Sequence, residues 1–413
     1  MSDPRFLFVV AEGPEATVID SQVVDNVVML GREGVHFDLL FLANPGPAWR
    51  KRVYYAKRRA EIAERTGGSV RIMPVPHPLT TAGAAFGAAV IAREVLRSPG
   101  RRLVLHGRTD VSAYFASLVA RWHRGLRYLF DVRGDGPAEF RLEAERRALT
   151  PAQSEPVLRR MLQRRGAAIA GAEHVLCVST VLRDRLVAMH GLDPRRSTVV
   201  PCVADSDKFG VDDAERRAIR SKLGVEDRFV VVYPGRIGAW HYSDETFAVV
   251  RGLMDADPRV FFLVLTPELE AATALAAKLL PEGRYAIRSA AHAEVPGYLR
   301  AADLGVLLRA PDPLNEVACP TKFAEYMLSG LPVLISPGIG DCSPFVGENA
   351  AGIVLATPDP QAAVAALAQI RSEPDDARRA RIGALGARLS RQRYVREMAA
   401  LYRRIAAGDT ESR

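Results

Sequence analysis

The chain has 413 residues, 48% of them hydrophobic and 25% charged, with four cysteines, 32 glycines and 27 prolines. This is ordinary globular composition for roughly two domains, and it excludes a disordered chain, a collagen-like repeat and a disulfide-held miniprotein. The formal net charge of +8 is uneven: residues 1–200 hold 30 Lys/Arg against 20 Asp/Glu, residues 201–413 hold 26 against 28, and a basic first half attracts anionic partners.

In chain order, the apolar run 6–10 is too short for a signal-peptide core and reads as a first strand. Further strands are predicted at 37–42, 71–75, 103–105, 128–131, 174–178 and 198–200. Helices at 18–30, 114–123 and 156–170 alternate with them. The longest bland apolar stretch, 82–92, falls short of the ~20 residues that cross a bilayer, so a soluble, cytoplasmic protein is expected. The pattern restarts with a strand at 229–233, a helix at 244–254 and strands at 260–265, 286–288, 304–308 and 333–335. It ends in an Arg-rich helical segment at 379–405. The expected fold class is α/β, with two Rossmann-like, doubly wound parallel-sheet domains facing across a cleft. The expected division is 1–205, 206–390 and a C-terminal helix, 391–413, that crosses back to the first domain. Cys177, Cys202, Cys319 and Cys342 have no CxxC or zinc spacing, and no metal or cofactor is expected.

In open parallel sheets, ligands bind at the carboxyl ends of strands. The most informative segment is Asn315-Glu316-Val317-Ala318-Cys319-Pro320-Thr321-Lys322-x-x-Glu325-Tyr326-x-x-x-Gly330-Leu331-Pro332-Val333. It predicts a helix capped by Thr321, stopped at Gly330 and followed by a strand. Its free N-terminal amides and Lys322 suit a phosphate, and Glu325, on the same face, suits a hydroxyl. The bland alternative is a helix with a solvated Lys–Glu pair. Gly235-Arg236-Ile237-Gly238 follows the first strand of the second half. There Gly235 lets backbone approach a ligand and Arg236 can fork onto phosphate oxygens, although such a loop is often only a tight turn.

With Gly235-Arg236 and the Pro320–Val333 motif, the chain resembles the retaining glycosyltransferases of family 4 (group 1), which have the GT-B fold. Supporting matches are Val178-Ser179, the linker Pro201-Cys202-Val203-Ala204-Asp205-x-x-x-Phe209, and Asp131-Val132-Arg133-Gly134 with Gly338-Ile339-Gly340-Asp341. The last two resemble a subgroup that makes bacterial surface polysaccharides. The resemblance implies a nucleotide-sugar donor, UDP- or GDP-linked, in the second domain and a glycan or lipid-linked acceptor in the first. It places Arg236 and Lys322 on the donor diphosphate and Glu325 on its ribose. Gly235, Ile237, Arg288 and Thr321 complete the expected donor contacts, and transfer is expected without metal.

Three positions depart from the family pattern. Val317 stands where a first Glu is usual, and Glu316, one place off, is the candidate for that contact. Trp240-His241 stand where a second basic residue is usual. Arg133 stands near where a catalytic His is usual. Acceptor-side candidates are His106, Arg133, Gly134 and Glu139. His106 reads equally as a core histidine, and Glu139 as a helix start. Asp205-Ser206-Asp207 and Asp255-Ala256-Asp257 have a metal-binding form but are read as chance. The basic run Arg50-Lys51-Arg52 with Lys57-Arg58-Arg59 is either a solvated helix face or a dock for an anionic membrane surface. Nucleic acid is not an expected partner, for want of a binding module. A sugar-nucleotide epimerase on the same scaffold and an inactive binding protein are the rival readings.

Overall fold

A computed structural model describes residues 4–16, 18–98, 102–238 and 242–408. The chain divides into two compact units, Met1–Val200 with Tyr394–Arg413, and Pro201–Arg393.

Among the described residues, the first unit holds a seven-stranded sheet. Its strands are β1 (Arg5–Val10), β2 (Phe37–Ala43), β3 (Val70–Pro74), β4 (Leu103–Arg108), β5 (Leu126–Val132), β6 (His174–Cys177) and β7 (Ser197–Val199). They pair in parallel in the order β3-β2-β1-β4-β5-β6-β7. The central strands β1 and β4 are buried almost throughout, which is why they read as continuous apolar runs rather than alternating ones. The second unit repeats the design with six parallel strands: β8 (Phe229–Pro234), β9 (Val260–Leu265), β10 (Tyr285–Arg288), β11 (Leu304–Leu307), β12 (Val333–Ile335) and β13 (Gly352–Val354). Their order is β10-β9-β8-β11-β12-β13.

The second unit begins at Pro201 because the next residues are bonded into it. Cys202 N–H donates to Cys319 Sγ (3.2 Å), Ala204 N–H to the Leu389 carbonyl (3.3 Å), and Arg391 N–H to the Ala204 carbonyl (2.8 Å). The predicted helical run 379–405 is not one helix. It divides into Asp375–Gly386, a short turn Ala387–Leu389 and Arg391–Ala407, because Ser390 takes an extended conformation. The last helix carries Val395, Met398, Ala399, Tyr402 and Ile405 into the core of the first unit, at the i, i+3, i+4, i+7 spacing of one face. Tyr402 meets Phe37 edge-on at 5.0 Å and Phe6 at 6.1 Å. No helix among the described residues is long and apolar enough to cross a membrane.

Candidate active site

In the second sheet, β8 leads outward to β9 and β10 on one side, while β11 leads to β12 and β13 on the other. Connections leaving neighbouring strands in opposite directions open a crevice at their carboxyl ends, and that is where open parallel sheets take ligands. Gly235 and Arg236 follow β8, and Leu308 and Arg309 follow β11.

The helix Thr321–Leu328 brings its N-terminus to the same place. Pro320, not Thr321, is the N-cap, and no side chain caps the helix: the proline ring fixes the extended turn, and Thr321 is already helical. Phe323, Tyr326 and Met327 bury the face toward the sheet, and Tyr326 donates its hydroxyl to the Val306 carbonyl (3.1 Å). Gly330 ends the helix at φ +71°, and a Cβ there would lie 2.6 Å from the Arg379 carbonyl.

Lys322 lies with its ammonium 4.4 Å from the Tyr233 ring centroid. Gly235, at φ +156°, presents a bare backbone to that ammonium: a Cβ would sit 2.4 Å from Lys322 Nζ. Gly235→Ala therefore displaces Lys322. It is expected to lower nucleotide affinity as far as removing the lysine does, with the unit still folded, as measured by calorimetric titration beside circular dichroism.

Lys322 is half-buried as a residue, yet its ammonium is pushed down to about 7, by burial first and then by Arg309, with Glu325 pulling the other way. Glu325 is 8% exposed, and its carboxylate makes no hydrogen bond among the described residues. Burial lifts its carboxyl to about 7 against the pull of Lys322 and Arg391. A cation and an unbonded carboxylate held in a crevice are poised for a ligand that carries both an anion and hydroxyls.

Arg236 is mostly exposed and ion-paired with Glu268 (2.8 Å), whose other oxygen accepts from Ile237 N–H (2.6 Å). That backbone bond first, and Arg236 after it, hold Glu268 below the usual carboxylate range despite some burial. Arg288 is exposed on the edge strand β10, one strand removed from β8. Glu316 is exposed at the end of the short helix Pro313–Glu316, while Val317 is fully buried in the core. Trp240 and His241 lie outside the described residues.

Sequence reasoning passed over Arg309 and Glu268, and read Asn315 only as the start of the motif segment. Arg309 follows β11, donates toward Asn315 Oδ1 at 3.5 Å, and acts on both Lys322 and Tyr233. Asn315 is 2% exposed and is fixed by donating to the Ala310 carbonyl (2.9 Å). Only the end of the apolar strand 304–308 marked Arg309 in the sequence. Because its charge depresses Lys322, Arg309→Gln is expected to move the alkaline limb of nucleotide affinity to higher pH. An unmoved limb in a pH series of titrations would separate the two residues.

In the first unit, His106 on β4 is 4% exposed, stacked on Phe8 at 3.9 Å, and bonded at both nitrogens, to Tyr402 (2.5 Å) and Asp131 (3.2 Å). Burial lowers its pKa in spite of Asp131. A neutral ring donating to Asp131 and accepting from Tyr402 satisfies all three groups, so His106 is built as a core histidine. Burial would raise Asp131, but Arg133, His106 and Arg108 bring it to about 2. Arg133 stands 3.6 Å from Asp131. Gly134 adjoins Glu139: a Cβ would lie 3.2 Å from its carboxylate. Glu139 is exposed by area, yet the protein around its carboxyl and then Asp110 raise its pKa.

Beside these, at the ends of β4 and β5, Arg165 holds Asp110 with two bonds of 2.8 Å and Asp135 at 2.9 Å. Arg108 is 4% exposed and holds Glu12 and Gln22, each at 2.9 Å. Thr109 follows at φ +73°, a strained conformation for a β-branched residue. Of the two Asp-x-Asp segments, Asp257 pairs with Arg259 (3.1 Å) and Arg371 (2.6 Å), and Asp205 accepts from Gln392 (2.6 Å).

The chain matches two family models, Glycosyltransferase Family 4 over residues 22–208 and Glycosyl transferases group 1 over residues 215–386. It is 27% identical over 297 residues to a D-inositol 3-phosphate glycosyltransferase of Geodermatophilus obscurus; the match covers 68% of this chain and 62% of that relative's length. Among solved structures, HepE of Anabaena with UDP and glucose superimposes with a TM-score of 0.68 at 14% identity, over 96% of this chain and 98% of that one. A putative UDP-N-acetylglucosamine 2-epimerase of Listeria monocytogenes gives 0.62 at 12% identity, over 100% and 98%. These two share the α/β fold of two parallel sheets known as GT-B. With both family models matched in succession along the two units, the chain belongs to the family 4, group 1 glycosyltransferases.

Proposed function

We propose that this protein is a retaining glycosyltransferase that moves a sugar from a UDP- or GDP-linked donor to a hydroxyl of a glycan or lipid-linked acceptor. The carrying observation is the crevice at β8 and β11, where Gly235, Lys322 and the helix N-terminus meet, Arg236 and Arg309 follow the two strands, and the Glu325 carboxylate makes no hydrogen bond. HepE, which shares the fold, is described with UDP and glucose, and this supports a nucleotide sugar here.

In this reading the cations hold the diphosphate and Glu325 accepts from the ribose hydroxyls. The bond between the anomeric carbon and the phosphate oxygen breaks, and the acceptor oxygen bonds to the same face of that carbon. The acceptor proton passes to the departing phosphate oxygen. Fixed positive charge stabilises the leaving diphosphate in place of a metal ion. The first unit binds the acceptor, with Arg133, Gly134 and Glu139 as its candidate contacts, and a surface polysaccharide precursor as its substrate class.

A thermal-shift screen with UDP, GDP, ADP, CMP and dTDP in EDTA tests the donor side. One nucleotide raising the melting temperature is expected, because selective binding stabilises the native state. Donor turnover only with an added acceptor then supports transfer. Turnover of the donor sugar without any acceptor would favour the epimerase reading instead.

A further inference from the structure

A loop that holds a phosphate turns backbone N–H groups and cations toward it. The loop after β8 already holds an anion in this way, and the anion is one of the chain's own side chains. Glu268 Oε1 accepts from Arg236 Nε at 2.9 Å and lies 2.8 Å from its Nη2, while Oε2 accepts from Ile237 N–H at 2.6 Å. A guanidinium and a backbone amide that converge on one carboxylate form the donor set that a pair of phosphate oxygens takes.

The rest of the loop is tied down by other groups. Gly235 N–H donates to the Leu265 carbonyl (2.8 Å) and the Tyr233 hydroxyl to the Arg236 carbonyl (2.7 Å). The Ser243 hydroxyl bridges Gly238, accepting from its N–H (2.9 Å) and donating to its carbonyl (3.2 Å). The Glu268 carboxylate is therefore added to a loop that is already fixed. It does not cap its own helix either: Glu268 is the N-cap residue of Leu269–Leu279, and its side chain makes no cap bond there.

The direction of the contact decides its effect. Glu268 follows β9, and β9 and β11 flank β8 on opposite sides. Lys322 lies against Gly235, and the charged groups that act on it are Arg309 and Glu325. Glu268 thus draws Arg236 to the β9 side, away from the crevice beside β11. Arg236 is mostly exposed, and an exposed ion pair is weak enough for an incoming dianion to break.

We propose that Glu268 is an internal competitor for the donor diphosphate: its carboxylate occupies the seat made by Arg236 and Ile237 N–H until the diphosphate displaces it and Arg236 turns to the ligand. The identity of the displacing anion rests on the donor reading above. A ligand without phosphate cannot make the exchange, so Glu268 also selects nucleoside diphosphates over nucleosides.

The test is calorimetric titration of the native chain, Glu268→Gln, Arg236→Gln and the double variant with UDP, GDP and inorganic pyrophosphate, in EDTA. Glu268→Gln keeps the size of the side chain and an oxygen for Ile237 N–H but loses the charge. It is expected to bind the nucleotide, and pyrophosphate, about threefold tighter or more than the native chain, at unchanged circular dichroism. The gain should vanish when Arg236 is already replaced, as a double-mutant cycle reads. Weaker binding by Glu268→Gln would make the carboxylate a support for Arg236 and overturn the proposal. Equal affinity, or a gain that persists without Arg236, would overturn it too. A native chain that binds neither nucleotide would contradict the donor reading instead, and the pyrophosphate titrations then decide the inference on their own.

Discussion

Lys322→Ala is expected to lower kcat/KM for the donor by ~100-fold or more, the usual effect of removing one preorganised charge from a leaving group. The melting temperature should not fall with it. Lys322 is pushed down to about 7 in the folded protein, so folding disfavours its charged form. The unfolded lysine, at ~10.4, binds a proton that the native one has lost between about pH 7 and 10. The resulting destabilisation is fully present below about pH 7 and disappears as pH rises toward 10. Lys322→Met should therefore be more stable than the native chain at pH 7, with a gain that shrinks toward pH 10. An anion arriving beside Lys322 favours the charged amine, so donor binding at pH 8 should take up a proton. Calorimetry in buffers of different ionisation enthalpy measures that uptake. A lysine that lost activity and stability together, without proton uptake, would be a structural residue.

Glu325→Ala is the second large effect. A hydrogen bond to a charged group is worth about 1.5–3 kcal/mol, so losing the ribose acceptor should raise the donor dissociation constant roughly 10- to 150-fold. Its stability effect runs in the opposite pH direction. Glu325 is lifted to about 7, so between about pH 4.5 and 7 the native state keeps a proton that the unfolded state has lost. Stability falls through that window and stays low above it. Glu325→Gln should thus stabilise the fold most above pH 7 and hardly at all near pH 4. Urea denaturation at the two pH values checks this, and a loss of stability at pH 8 would show that the carboxylate has a structural partner.

Much of this site was legible in the sequence because its chemistry is packed into short motifs. Gly235-Arg236 follows an apolar strand, and Lys322 and Glu325 lie three apart on a helix bounded by Pro320 and Gly330. Alternating strands and helices likewise carried the two-sheet architecture, since fully buried parallel strands read as unbroken apolar runs. What the sequence hid was set by tertiary contacts. Arg309 reaches the crevice only because β11 lies beside β8. Glu268 reaches Arg236 only through the neighbouring strand β9. His106 has the look of a cleft residue until Tyr402, 296 positions away, takes up its second nitrogen. The break at Ser390 follows from a bridge to Ala204 in another segment, which no helical periodicity contains. β13 was passed over because three half-buried residues led by a glycine carry no strand signal.

The central claim is that Lys322 and Glu325 hold a nucleoside diphosphate without metal. The direct measurement is calorimetric titration of the native chain, Lys322→Ala and Glu325→Ala with UDP and with GDP, in EDTA. The account predicts saturable binding of one nucleotide to the native chain, and a loss of at least tenfold in each variant at unchanged circular dichroism. Equal affinity in all three proteins, or binding to the native chain only when magnesium replaces EDTA, would contradict it.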